Sequence, residues 1–522
     1  MALNLNLPAP QESSMIVAET RPRKISQSLE SLDKQKPLDV ASYLYTELEI
    51  LNRQEVSPSD RIQALDTYRP LLISVTQTLA EDYCNASLPL HDNAKLAAAS
   101  VESLWLELGY GYKLAIIGLQ NKLIKIGSSK SSAHAIQRAI HAVAEHAFVY
   151  YQTYTSPPDH IWGDLHQLYF CAVQLGIQHT KVKAEKTDVE SLTSVEFSIE
   201  NTYIHALLMS LAEPQHLTQK DMRLTADFLA HHVNHVQITT VTPIKSTSGA
   251  FIVSLKSNKP PIPYSKQKEA PDPDTDILLQ TIDLVRIIHQ HFNSLQNSLW
   301  PKDGSIPSNG NRNDYIDLMT HLIKYWGVIP KRVYNRTQKN GEIELVAGIS
   351  AIHKSINSQE NNHAHINPNS IQPEQLMPSR WQILNISASG MSIRRHPTAD
   401  KNIKIGSILG IKTKDDQHWS LGLVRWANCG NRDRLDIGVQ LIAPQAQSAI
   451  AQISGREYDE MVLVLPEIAA ANQATSIIAP KGTYEPARAL TLTYSGISKH
   501  VICIKIIDRS NHFERIQYSV IN

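Results

Sequence analysis

The stretch Gly327–Gly341, GVIPKRVYNRTQKNG, holds Lys331, Arg332, Arg336 and Lys339 with no acid among them. Elsewhere charge is balanced: 50 Lys+Arg stand against 50 Asp+Glu in 522 residues, so any anion site must be local. Arg332 and Arg336 form an RxxxR pair in a loop marked by Pro330, just ahead of an alternating apolar run. A guanidinium grips oxygen pairs with its planar fork and also stacks on ring faces. The second candidate is Asn385-Ile386-Ser387-Ala388-Ser389-Gly390, an NxSxxG turn between WQILNI and MSIRR. Asn and Ser place short donors and acceptors at a turn, while Gly390 permits backbone geometry closed to other residues.

The elements that would carry these residues follow from the patterning. At roughly 150 residues per domain, the length suggests three or four domains. Apolar residues make up 42% and charged residues 19%, a mixture that buries several cores. Residues 1–36 are polar with little periodicity and read as a disordered tail. Residues 37–215 read as successive helices. Ser57-Pro58-Ser59-Asp60 is a start signal, with further helices expected near 92–118, 132–152, 160–178 and 200–212. Starts near 57, 92 and 132 are compatible with an α-solenoid of helix pairs or with a plain bundle. Residues 216–328 are mixed: a helix over Thr218–His235, strands VQITTVTPI and AFIVSLK, a proline-rich linker over Ser257–Asp276, a helix from Ile277 to Leu295, and a short one ending near Tyr325.

After Gly327 the apolar period changes to two. Ile343, Leu345, Ala347, Ile349 and Ala351 alternate as one strand does, and WQILNI, MSIRR, ILGIKTK, HWSLGLVRWA and RLDIGVQLI follow. Six short strands over 329–455 indicate a small antiparallel barrel, with Trp381 and Trp419 in its core. Between Ile352 and Met377 lies a polar insert read as a mobile loop, and residues 456–522 continue in strands as a second β unit or an extension of the first. The fold class is multidomain α+β: a helical N-terminal region, a mixed α/β middle region, and a C-terminal six-stranded barrel with additional strands.

The RxxxR loop, the NxSxxG turn and the trailing LGLVRW and IGVQL strands together resemble the PilZ domain, the bacterial receptor module for cyclic di-GMP; the resemblance covers about residues 329–452. It implies a six-stranded barrel that binds the dinucleotide. Arg332 and Arg336 take its phosphates or guanines, with Asn385, Ser387 and Gly390 on the opposite wall, and Ser389, Lys331 and Arg394 supporting them. Asn385 would accept from a guanine edge, and Gly390 would leave room for the ring. Arg chemistry fits such a ligand, since its fork matches phosphate oxygens and guanine O6/N7. Two departures are visible: Arg336 lies 49 residues before Asn385, a spacing widened by the polar insert, and the motif opens with Asn rather than Asp.

Other residues offer less. His231, His232 and His235, and His141, Glu145 and His146, have helical metal-ligand spacing but no HExxH or third-ligand pattern. His363 and His365 fall in the insert. P-loops, nucleophile elbows, GxGxxG turns and GGDEF- or EAL-like signatures are absent. Four dispersed cysteines fit a reducing compartment, and no signal peptide or membrane-length apolar run is visible. The expectation is a non-enzymatic, cytoplasmic cyclic di-GMP receptor without cofactor or metal, acting in motility or biofilm regulation. Its helical region would contact a protein partner, with no DNA, RNA or membrane insertion. The alternatives are a PilZ-scaffold adaptor that no longer binds nucleotide and a metal-dependent enzyme at the histidine pairs.

Overall fold

A computed structural model gives the architecture, describing residues 3–521 apart from 10–16, 33–34, 121–128, 184–196, 329–334, 362–377, 398–401, 431–433, 454–455, 457 and 468–472. The chain divides into two units: Met1–Ala86 with His91–Lys331, and Ser87–Leu90 with Arg332–Asn522. The first unit spans the expected tail, helical and mixed regions together.

That unit opens on α1 (Pro22–Glu30), followed by α2 (Pro37–Asn52), α3 (Pro58–Cys84), α4 (Asp92–Gln120), α5 (Ser129–Gln152) and α6 (Asp159–Gln174). Ser57 caps α3 as its sequence requires, its Oγ accepting from the Asp60 N–H with Pro58 at the first helical position. The described part of residues 1–36 departs from expectation. Leu5, Ile25 and Leu32 are buried, and Lys113 donates both to the Asn6 carbonyl and, at 2.7 Å, to Asp164. Three widely spaced apolar anchors hold this segment, too few to produce a periodic signal. The strands β1 (Lys181–Val182) and β2 (Phe197–Ser198) pair ahead of α7 (Ile199–Leu211) and α8 (Gln219–His232).

The mixed region is an antiparallel sheet of β3 (Gln237–Thr240), β4 (Ala250–Ser254), β5 (Ile262–Pro263) and β6 (Asp276–Gln280) in the order β3-β6-β4-β5, followed by α9 (Ile282–Gln296) and α10 (Arg312–Trp326). The helix expected from Ile277 therefore starts at Ile282, and DILLQ is the central strand β6. Leu278 and Leu279 are both fully buried, so β6 reads as an unbroken apolar run, which periodicity cannot separate from a helix.

The second unit holds two closed barrels. The first joins β7 (Thr337–Ala347), β8 (Ser379–Ser387), β9 (Gly390–Arg395), β10 (Ile408–Lys412), β11 (Ser420–Gly430) and β12 (Arg434–Ala443) in the order β10-β11-β12-β9-β8-β7. The second joins β13 (Gln447–Ile453), β14 (Glu460–Leu465), β15 (Ser476–Ala479), β16 (Ala489–Tyr494), β17 (Ile497–Arg509) and β18 (Glu514–Val520) in the order β13-β14-β15-β18-β17-β16. The C-terminal strands are thus a barrel of their own, and β13 belongs to it, so the second barrel begins at Gln447 rather than after 455. Trp381 and Trp419 are buried, as expected.

The polar insert is also corrected. β7 ends at Ala347, Gly348 turns the chain at φ 90°, and α11 (Ile349–Asn361) follows. Ile349 and Ala351, expected in the strand, lie on this helix. With Ile352 and Ile356 they contribute to a core shared by the two barrels, alongside Trp419, Leu465 and Phe513. Residues 362–377 of the insert, with His363 and His365, lie outside the described residues.

Candidate functional site on the outer face of the first barrel

The barrel's alternation sorts its side chains. Trp381, Ile383, Ile393 and Ile437 point inward and are buried. The opposite face of β8, β9, β12 and β11 is the outer wall. Antiparallel pairing sets Asn385 beside Ser392, Ser392 beside Gly438, and Gly438 beside Trp426, one row across four strands. Gln338 of β7 extends the row on the other side of Asn385.

Irregularities in the ladder aim this row. On β8, Leu384 is an extra residue against β9, and on β7 Lys339 and Asn340 stand together against it. A bulge shifts the alternation by one and increases local twist. Here it carries Asn385 to the outer face although Ile383, two residues earlier, points inward.

Arg336 lies one residue ahead of the Thr337–Ile386 pair, which puts it in register beside Ser387, two residues along β8 from Asn385 and its row. It is exposed, and among the described residues no hydrogen bond or ion pair engages it. Lys331 and Arg332 lie outside the described residues. Ser387 and Gly390 pair across the two-residue turn Ala388–Ser389, and the Ser387 hydroxyl donates to the Gly390 carbonyl at 3.1 Å. With its proton so engaged, Ser387 Oγ presents acceptor lone pairs outward. Ser389 is exposed, and its carbonyl accepts from the Leu441 N–H.

Two expectations change. Gly390 does not adopt a left-handed conformation. A Cβ there would meet the Val439 carbonyl oxygen at 2.2 Å, so the residue is small because β12 backbone passes against it. Arg394, expected to reach a ligand, is engaged by Asp436 through two bonds of 2.7 and 3.0 Å, and Arg434 adds a third cationic contact at 2.8 Å. Burial alone would raise the Asp436 carboxyl, but the two guanidiniums hold it below the usual range. This cluster braces β9 against β12.

Trp426, which the sequence presents only as part of a strand, occupies the outer row half-buried. A Cβ at Gly438 would come within 1.7 Å of its Nε1, so its ring lies over the bare Gly438 backbone. Nothing local to LGLVRW marks it; the signal is the pairing of a Trp with a Gly one strand away. The face thus offers an exposed cation, amide and hydroxyl groups and an aromatic ring, a set that suits a phosphorylated heterocycle. A cleft of about 490 Å³ in this unit lies elsewhere, beside Asp459 and Glu460, whose charge opposes a phosphate.

Neither histidine group of the sequence closes on a metal by itself among the described residues. His231 hydrogen-bonds the Asp227 carbonyl of its own helix, and His141, Glu145 and His146 do not converge on a metal-holding geometry among the described residues. Burial lowers His146 to about 3 and His232 to about 4, and lowers His291 as well.

Comparison with known proteins matches the chain along nearly its whole length. Residues 23–243 match the family model "Cyclic-di-GMP receptor FimW, N-terminal domain". Residues 250–374 and 354–448 match "Cyclic-di-GMP receptor FimW, middle PilZ domain". Residues 449–521 match "FimW C-terminal beta-barrel domain". Among curated proteins, the chain is 22% identical to the cyclic-di-GMP receptor FimW of Pseudomonas aeruginosa PAO1, over 99% of this chain and 93% of that protein. No solved structure matches.

Proposed function

We propose, from the premise that this chain carries a PilZ-type domain in the three-domain order of FimW, that it is a non-catalytic receptor for cyclic di-GMP. The observation that carries the reading is the strand register that sets Arg336 beside Ser387, two residues along β8 from Asn385, whose own row runs across the wall to Trp426. Arg332 and Arg336 engage phosphate and guanine. Asn385 and Ser387 meet the polar edge of a base, and Trp426 offers a ring for stacking. Lys331, Ser389 and the Arg394–Asp436 brace support that wall.

The helical region is the output arm and contacts a protein partner, in motility or biofilm regulation within the cytoplasm. No helix among the described residues is long and apolar enough to cross a membrane. The first unit ends at Lys331 and the second resumes at Arg332, so the arginine loop is also the chain junction between them.

Isothermal titration of cyclic di-GMP into the full-length protein tests the reading. Wild type should bind, and Arg336→Ala should weaken binding at least roughly tenfold, the scale of one charge-assisted bond. Absence of binding by wild type would leave the barrel as a scaffold.

A further inference from the structure

His232 closes α8, His291 lies on α9, and Asp303 sits in the loop after α9. One ligand atom from each falls within 4.8 Å of the others. His291 Nε2 is 2.9 Å and His232 Nε2 is 3.4 Å from the same oxygen, Asp303 Oδ2. Both rings are more than nine-tenths buried, and His232 Nε2 has no hydrogen-bond partner although it faces that carboxylate. Such a buried nitrogen is costly unless something fills the space before it.

The carboxylate is itself held. Asp303 Oδ1 accepts from the Ser305 N–H at 3.1 Å and the Ser305 hydroxyl at 2.8 Å, leaving Oδ2 for the imidazoles. Gly304, at φ 76°, makes the tight turn that folds Ser305 back onto it. Phe228 walls the other side, its ring centroid 4.5 Å from that of His232 and 5.8 Å from that of His291. Two nitrogens, one oriented oxygen and an apolar wall are the parts of a three-ligand transition-metal site.

We propose that His232, His291 and Asp303 bind one Zn²⁺ ion, which clamps α8, α9 and the following loop. With metal bonds of about 2.0–2.1 Å, tetrahedral ligand atoms stand roughly 3.3 Å apart, close to the two separations found here. The nitrogen-rich donor set favours zinc over calcium or magnesium, which take oxygen ligands. The fourth position belongs to water or to exposed His235, whose ring centroid is 6.0 Å from that of His232. The inference is independent of the dinucleotide reading.

The test uses full-length protein stripped by chelator and titrated with Zn²⁺ by calorimetry and with Co²⁺ by visible absorption. The expected result is one equivalent bound, a tetrahedral Co²⁺ band, and a Tm that rises with Zn²⁺. Asp303→Asn, a change at a partly exposed side chain, should weaken binding roughly tenfold or more and abolish the Tm rise. Asp283→Asn, a change at a half-buried acid elsewhere on α9, should bind as wild type does. His291→Ala should act as Asp303→Asn does, and the asparagine variant decides the matter should the alanine one fold poorly. No stoichiometric binding by wild type, or binding undiminished in Asp303→Asn, would overturn the proposal.

Discussion

At the residue scale the proposed site separates side chains offered to a ligand from those that shape the wall, and substitutions should split accordingly. Gly390→Ala forces a Cβ to within 2.2 Å of the Val439 carbonyl oxygen, which is backbone and must be displaced. Overpacking of this kind typically costs about 1–3 kcal/mol. The variant should therefore show a lowered Tm in a thermal melt. Trp426→Ala removes a half-buried ring from the outer face and should leave the Tm closer to wild type. It should weaken cyclic di-GMP binding about tenfold or more, since stacking on an aromatic side chain contributes ~1–3 kcal/mol per base. Equal affinity in Trp426→Ala and wild type would remove the ring from the site. The sequence made Arg336, Asn385 and Ser387 legible because their motifs are contiguous. Trp426, Gly438 and the Asp436 brace were not legible, because each owes its role to a residue one strand away.

At the element scale, what could be read was what repeats within one element. The helices α3 to α7 appeared near their expected bounds because caps and apolar spacing are local signals. The strand β6 was hidden by burial on both faces, and α11 by its polar composition, since Ile349, Ile352 and Ile356 supply only a narrow stripe. That stripe nonetheless packs where the two barrels share a core. Ile352 is fully buried there, so Ile352→Ala should cost about 2–5 kcal/mol, the usual range for emptying a core aliphatic site. Urea denaturation followed by far-ultraviolet circular dichroism measures the loss. A change of only a few tenths would mean that the two barrels do not depend on α11. Arg336, Asn385 and Ser387 are not part of this core, so cyclic di-GMP affinity at a temperature where the variant is folded should be nearly unchanged.

At the scale of the whole first unit, buried histidines tie segments that the sequence showed as separate. His166 of α6 is fully buried, with Nε2 2.9 Å from the Lys259 carbonyl and Nδ1 2.6 Å from the Tyr203 hydroxyl. A carbonyl only accepts, so Nε2 carries the proton and Nδ1 accepts from Tyr203. The neutral ring thereby fastens the proline-rich stretch, expected as a long loop or linker, to the helices. Desolvation lowers His166 from 6.5 to about 4, with the Lys259 carbonyl opposing it only in part. A folded value below the unfolded one means that the native state binds fewer protons, so this contribution is complete above pH 6.5. It is lost as pH falls from 6.5 through about 4. At pH 5 the loss for one such ring is about 2 kcal/mol. His166→Gln retains a donor for Lys259 and an acceptor for Tyr203 but has nothing to protonate. Urea midpoints at pH 7.5 and pH 5.0 should therefore fall further apart in wild type than in the variant. Were the two proteins to lose equal stability, the ring would be charged inside the fold, and the tie between α6 and the Lys259 segment would have to be water-linked rather than direct.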